Sequence, residues 1–165
     1  MEALPEIKKE EIENTKKDDW DFLYIFLHKY FVMIGKNKEI MQMFNTSQHT
    51  LLAFYYLDSQ VCNGGFIQLI QNGYGRYIFE NPFSDALKIW GAKDIAKIVE
   101  DAKIIYIKHR EKLEKETSME EFSELYKEIK DFEPLEDIYY KINEQGTKII
   151  KKYVEENINE FGKII

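Results

Sequence analysis

The segment from residue 61 to residue 75 reads VCNGGFIQLIQNGYG and lies between two apolar runs of helical spacing. Gly64 and Gly65 predict the end of the first helix, because a glycine just past a helix end adopts a left-handed conformation without a Cβ clash. Asn63 is a residue type that caps helices, so we expect it to begin the next helix, which carries Phe66. The motif Asn63-Gly64-Gly65-Phe66 is therefore interpreted as a determinant of the fold.

Helical periodicity continues on both sides of this motif. Upstream, apolar residues recur every three or four positions over residues 20–34, after an expected cap at Asp18 or Asp19. Downstream, residues 93–116 carry the clearest apolar stripe, and Ser118 with Glu121 matches a capping box. No window alternates with period two, and the chain has only three prolines and eight glycines. The sequence predicts an all-α protein, a single compact domain of seven to nine helices.

The domain organisation follows from where the periodic pattern starts and stops. Residues 1–18 are rich in both Glu and Lys, which predicts an N-terminal extension that forms a short helix or frays. Residues 19–165 are predicted to form the all-α domain. The last helix opens at Glu133, and Gly146 within it predicts a kink or a split.

Composition limits the class of protein. The chain of 165 residues is 44% hydrophobic and 32% charged, a balance typical of soluble globular proteins, and its net charge is −7. This acidity disfavours direct nucleic-acid binding. The apolar stretch at residues 22–34 is too short to span a membrane, and a single cysteine favours a reducing cytoplasm. We therefore expect a cytoplasmic protein with no membrane partner.

Residues that could carry catalysis or bind metal do not cluster. The histidines His28, His49 and His109 lack any recognised ligand spacing, and Cys62 is interpreted as a buried structural thiol. The glycines of the opening segment match neither type of phosphate-binding loop. Asp58 lies in an otherwise apolar helix and marks either its wet face or a buried carboxylate with a partner. The sequence predicts no catalytic residue, no cofactor site and no metal site.

The negative charge is concentrated in one segment. Residues 116–137 hold nine carboxylates and two lysines. The net charge of this segment is therefore −7, the same as that of the whole chain. Glu120, Glu124 and Glu128 recur at every fourth position, so they share one helix face at a spacing of about 6 Å. Asp131 is expected to continue this row. Basic surfaces that read DNA accept such regular negative charge in place of phosphates.

The motif and its surroundings resemble the bacterial DNA-mimic protein 19 family over about residues 45–161. The matching positions are Asn63-Gly64-Gly65-Phe66, Gln68, Asn72, Gly75 and Ile89-Trp90-Gly91-Ala92. The resemblance implies an all-α fold and a homodimer. For the founding member, it implies an acidic surface that imitates DNA and occupies the DNA-binding face of a transcription factor.

Three functional interpretations remain open. In the first, Glu120, Glu124, Glu128 and Asp131 bind a basic DNA-binding protein. In the second, the chain is a generic protein-interaction module, because several acids of the segment lie in first helical turns, where the helix dipole favours them anyway. An enzyme of unknown class is the third interpretation, and no motif supports it.

Overall fold

The computed structural model describes residues 3–165, and within that range the chain is almost entirely helical. The nine α-helices are α1 (Lys9–Thr15), α2 (Asp19–Lys36), α3 (Thr46–Gln71), α4 (Gly75–Phe79), α5 (Phe83–Ile89), α6 (Lys93–Lys108), α7 (Arg110–Glu114), α8 (Met119–Glu128) and α9 (Glu133–Glu156). Short 3-10 helices lie at Lys38–Met43 and Ile158–Glu160. The predicted all-α fold is confirmed.

Contacts group the described residues into two compact units. The first comprises residues 3–52 and 147–165, and the second comprises residues 53–146. The boundaries fall within α3 and α9, so each of these helices contributes to both units. The division at residue 19 between an extension and a domain stays a prediction.

The first unit contains the chain's only strand pairing within residues 3–165. Strand β1 (Glu6–Ile7) pairs in parallel with β2 (Lys163–Ile164), and the Ile7 side chain is fully buried. The Tyr30 hydroxyl donates to the Phe161 carbonyl at 2.8 Å. Residues 1–18 were expected to form a short helix or to fray. In the described part of that range, α1 forms and β1 is tied to the other end of the chain.

The second unit is built around α6. Its apolar stripe is buried against α4 and α5, as the periodicity predicts. Aromatic rings extend this core: Phe79 stacks on Tyr106 with ring centroids 4.8 Å apart, and Phe66 stacks on Phe132 at 5.4 Å. The Phe66–Phe132 pair packs the glycine motif against the turn that follows α8.

Two predicted capping signals are confirmed. Asp18 accepts from the backbone N–H of Asp21 at 2.9 Å, so it caps α2. Ser118 and Glu121 form the predicted reciprocal capping box at the start of α8.

Two predictions about the long helices were wrong. The helix expected over residues 93–116 breaks at His109, whose φ of −112° and ψ of 16° separate α6 from α7. Helix α9 runs without a break through Gly146, where we expected a kink or a split. A Cβ at Gly146 would lie 3.0 Å from Cγ1 of Ile95, so this glycine allows α6 to approach closely.

Candidate functional site

Helix α8 exposes most of the carboxylates that the sequence singles out. Its capping box fixes where the helix begins, and Leu125 is the residue it buries most deeply. Glu120, Glu124 and Glu128 are all exposed, on the side of the helix away from Phe122 and Tyr126. These three carboxylates therefore lie on one exposed face of a continuous helix.

The fourth predicted carboxylate does not belong to the helical row. Helix α8 ends at Glu128, because Ile129 adopts an extended conformation with a ψ of 91°. Asp131 lies in the following turn, where its carboxylate is 3.3 Å from the Lys108 amine and 3.4 Å from the His109 ring. The prediction that Asp131 continues the row along α8 was wrong. We call Glu120, Glu124, Glu128 and Asp131 together the acidic group.

Three members of the acidic group already have cationic partners within the chain. Besides Asp131, Glu124 pairs with Lys127 at 2.8 Å, and Glu128 pairs with Lys112 at 2.8 Å. Among residues 3–165, no cation lies within ion-pair distance of Glu120. The acidic group is therefore a set of partly neutralised charges rather than a bare row like the phosphates of DNA.

Solvent access keeps these ion pairs weak. The hydrogen bond from His109, followed by that from Lys108, holds the pKa of the Asp131 carboxyl below its usual range. The hydrogen bond from Lys127 to Glu124 raises the pKa of the Lys127 amine. Exposed pairs of this kind contribute little to stability, because water and salt screen them. An incoming cation could replace the chain's own lysines at little cost.

An open groove runs along the same face of α8. It is lined by Glu120, Glu121, Glu124, Leu125 and Glu128 from α8, and by Lys112, Lys115 and Thr117 from the segment before it. The groove thus combines four carboxylates with two lysines, and its shape is open to solvent.

The glycine motif lies on the other side of α8. We call Asn63, Gly64, Gly65 and Phe66 the glycine corner, because α3 bends there through non-helical conformations at Gly64 and Gly65. Gly65 has a φ of 74° and a ψ of −173°, a region open essentially to glycine alone. The Tyr126 hydroxyl of α8 donates to the Gly64 carbonyl at 2.6 Å, which satisfies a backbone acceptor freed by the break.

The second half of α3 is capped from a distant part of the chain. We expected Asn63 to cap it, but the Asn63 side chain donates instead to Gln68 Oε1 at 3.0 Å. The Glu136 carboxylate of α9 accepts from the Phe66 backbone N–H at 2.8 Å. Burial raises the pKa of the half-buried Glu136 carboxyl, and the Phe66 hydrogen bond opposes that rise. A carboxylate at this helix start also interacts favourably with the helix dipole.

Side-chain amides form a chain across the outer side of the corner. Asn63 donates to Gln68, and Gln68 and Asn72 both donate to Gln60 Oε1, at 3.1 and 2.8 Å. The positions Gln68 and Asn72, which the sequence resemblance singles out, are therefore joined to the glycine corner by hydrogen bonds. Sequence spacing alone gave no role to Gln60.

Asp58 has partners that the sequence did not show. Its half-buried carboxylate accepts from the Tyr139 hydroxyl at 2.7 Å and from the Asn143 amide at 3.4 Å. Cys62, expected to be buried, is exposed beside it. Although the residue is exposed, partial burial of its thiol, followed by the nearby Asp58 carboxylate, raises the pKa of the Cys62 thiol to about 11, which disfavours the reactive thiolate.

The histidines do not form a site. His109 binds Asp131, and His49 approaches the Met41 carbonyl at 3.0 Å in the first unit. Within residues 3–165, no three His, Cys, Asp or Glu side chains are grouped so that they could hold a metal ion. None of the helices in that range is long and apolar enough to cross a bilayer.

Comparison with known proteins connects this geometry to a family. The family described as DMP19-like protein matches residues 42–157, which include the glycine corner, the amide chain and all of α8. The chain belongs to this family. The matched residues cover most of the range 45–161 over which the sequence resembles the DNA-mimic protein 19 family. The predicted family is therefore confirmed.

A named relative extends the family match. The protein called DNA mimic protein DMP19, from Neisseria meningitidis serogroup B (strain ATCC BAA-335 / MC58), is 38% identical over 127 residues. The aligned region is 76% of this chain and 77% of the relative. The name of this relative describes a DNA mimic and does not mention a chemical reaction.

Proposed function

We propose that the protein is a DNA mimic that binds the DNA-binding face of a basic protein, such as a transcription regulator. The observation that carries this proposal is membership of the DMP19-like family together with the relative named as a DNA mimic. The protein would act by binding, with no catalytic residue, cofactor or metal, and without contacting nucleic acid or a membrane. We also propose that it acts in the cytoplasm, and that it forms a homodimer.

The position of the negative charge supports this proposal. Residues 116–137 carry the net charge of the chain, and α8 presents Glu120, Glu124 and Glu128 to solvent at regular spacing. A DNA-binding surface supplies Lys and Arg side chains at positions matched to phosphates. Such side chains could pair directly with Glu120. They could also replace Lys127 as the partner of Glu124, and Lys112 as the partner of Glu128.

The ion pairs within the acidic group favour a second candidate function. Because Glu124, Glu128 and Asp131 are already paired, the surface is less negative than the sequence suggests. A generic interaction module, whose partner does not bind DNA, fits a surface of mixed charge. An enzyme of unknown class is the weakest alternative, since no described cluster has the geometry of an active site.

Competition by DNA separates the two leading candidates. Tagged wild type and the variant Glu120→Lys, Glu124→Lys, Glu128→Lys would be used to capture proteins from a lysate of the source cells, followed by identification of the captured proteins. We expect wild type to capture a DNA-binding protein that duplex DNA displaces, and added salt to weaken the complex.

A matched control variant shows whether an effect depends on where the charge is changed or only on how much charge is changed. The variant Glu13→Lys, Glu39→Lys, Glu155→Lys makes the same charge change at exposed carboxylates of the first unit. Circular dichroism should show the same helical content for all three proteins. Mimicry is excluded if duplex DNA fails to displace the captured protein, or if both triple variants capture it as well as wild type does.

A further inference from the structure

The chain segment that contains the glycine corner is almost free of charged residues. Between residues 40 and 75 the chain carries a single charged side chain, Asp58, although 32% of all residues are charged. Asn63 and Asn72 are exposed in this region and belong to the amide chain through Gln60 and Gln68. The region thus offers amide oxygens and N–H groups to solvent in place of ion pairs.

Aromatic and apolar side chains continue this face from α8 and α9. Phe122 packs edge-on against Tyr126 with ring centroids 5.2 Å apart, and Phe122 lines a groove together with Asn72 and Met119. The Met119 side chain is 88% exposed, and Tyr140 is 49% exposed while its hydroxyl donates to the Val61 carbonyl at 3.1 Å. Fixed aromatic rings and a flexible methionine therefore border the amides.

Carboxylates without cationic partners stand at the margin of this face. Glu116 lines the same groove, beside Lys115. Asp137 lies on α9 near Tyr140: burial raises the pKa of the Tyr140 hydroxyl most, followed by Glu136, Cys62 and Asp137. Among the described residues, no cation pairs with Glu116 or Asp137. This separates the margin from the acidic group, most of which is already paired.

We propose that this face receives arginine side chains of the basic partner. We call it the corner surface and define it by Met119, Phe122, Tyr126 and Tyr140 with the amides of Asn63, Gln68 and Asn72. The proposal rests on the proposed function and assigns the centre of the interface to the corner surface rather than to the acidic group.

Arginine fits this surface better than lysine for three physical reasons. Its planar guanidinium stacks on aromatic rings, donates several hydrogen bonds to amide and carboxylate oxygens, and is more easily desolvated than an ammonium group. Interface centres are enriched in Tyr, Phe and Met and depleted in Lys and Glu, which is the composition found here. The acidic group then attracts the partner at long range, and the corner surface makes the close contacts.

Titration with two peptides of equal charge tests this assignment directly. Hexa-arginine and hexa-lysine would be added to the full-length protein while NMR signals report on the Met119 methyl group and the side-chain amides of Asn63, Gln68 and Asn72. We expect hexa-arginine to shift these signals and to bind at least about fivefold more tightly than hexa-lysine. Hexa-lysine should shift signals near Glu120 and Glu124 only.

Single substitutions locate the arginine site. Met119→Arg and Asn72→Arg each place a cation on the corner surface at an exposed position, and each should weaken hexa-arginine binding about fivefold or more. Ile104→Arg makes the same addition of charge at a 68% exposed apolar position on α6. This control should leave both the affinity and the shifts at the corner surface unchanged.

Each outcome separates this proposal from the proposed function. If the two peptides bind equally and the corner signals do not move, or if Ile104→Arg weakens binding as much as Met119→Arg, the corner surface is not the arginine site. DNA-displaceable capture from lysate would then still support mimicry. If hexa-arginine shifts the corner signals but no captured protein is displaced by DNA, the arginine site stands and mimicry is excluded.

Discussion

The two sides of α8 hold their polar groups in different ways. On the outer side of α8, which faces away from the glycine corner, Glu124 and Glu128 form exposed ion pairs with Lys127 and Lys112. On the opposite side, Tyr126 donates to the Gly64 carbonyl, in the half-buried glycine corner that Glu136 also caps. Exposed pairs contribute little and exchange readily, whereas groups removed from water are costly to leave without partners. We infer that the corner determines the fold and that the outer side is free to change partners.

The largest effect is expected at Gly65. Gly65→Ala should lower the free energy of unfolding by about 2–4 kcal/mol, because any side chain is strained at this φ and ψ. The new Cβ would also lie 2.8 Å from Cδ of Glu136. Thermal and urea denaturation measure the loss. Gly35→Ala is the control: apart from its chain neighbours and the backbone of its own helix α2, no atom lies within 4 Å of its Cβ position, so it should be neutral or stabilising. Equal melting temperatures for wild type and Gly65→Ala would contradict the assigned role.

A smaller loss of stability is expected when the hydrogen bond from the Tyr139 hydroxyl to Asp58 is removed. Tyr139→Phe removes the 2.7 Å hydrogen bond to Asp58 from a fully buried side chain, which should cost about 1–3 kcal/mol. Tyr140→Phe removes the neighbouring hydroxyl from a half-exposed side chain and should cost less, about 1 kcal/mol or under. Urea denaturation compares the two variants, and the reverse order would show that burial does not decide the cost.

The pH dependence of stability should have opposite signs in the two regions. The pKa of Glu136 is raised by burial, so wild type should gain stability relative to Glu136→Gln as the pH falls through that pKa. The pKa of Asp131 is lowered by His109 and Lys108, so wild type should lose stability relative to Asp131→Asn as the pH falls. Urea denaturation between pH 7 and pH 3 gives both differences. The comparison fails if the two differences change with pH in the same direction.

The smallest effect on stability is expected at Lys112. Lys112→Gln frees Glu128 from its 2.8 Å ion pair, and the free energy of unfolding should change by less than about 1 kcal/mol. Under the proposed function, the same variant should capture its basic partner more tightly. Lys163→Gln, which makes the same charge change in the first unit, serves as the control. A marked loss of stability in Lys112→Gln would mean that the outer pairs are structural.

Local signals were predictable from the sequence, and long-range pairings were not. The caps Asp18 and Ser118 act within three residues of themselves, so their spacing was sufficient. The cap on Phe66 comes from Glu136, 70 positions away, and no local pattern reveals it. Gly146 was misinterpreted for the same reason, because only the packing of Ile95 explains a glycine inside a continuous helix.

The candidate site shows the same limit. Regular spacing placed Glu120, Glu124 and Glu128 on one face of α8, but the pairing of Glu128 with Lys112 depends on how α7 lies beside α8. The end of α8 at Glu128 left Asp131 in a turn, since Ile129 is buried in an extended conformation. The corner surface combines residues from α3, α8 and α9, and only the glycine motif and the sequence resemblance pointed to it.

The lysines paired with α8 act as counterions that stay attached to the chain. DNA gains affinity for proteins when condensed cations are released into solution, and this entropy makes its complexes very sensitive to salt. When a partner displaces Lys112 or Lys127, no free ion is released, because the displaced ammonium group remains tethered. A mimic built in this way would lose less affinity than DNA as the salt concentration rises, and would compete best where DNA binding is already weakened.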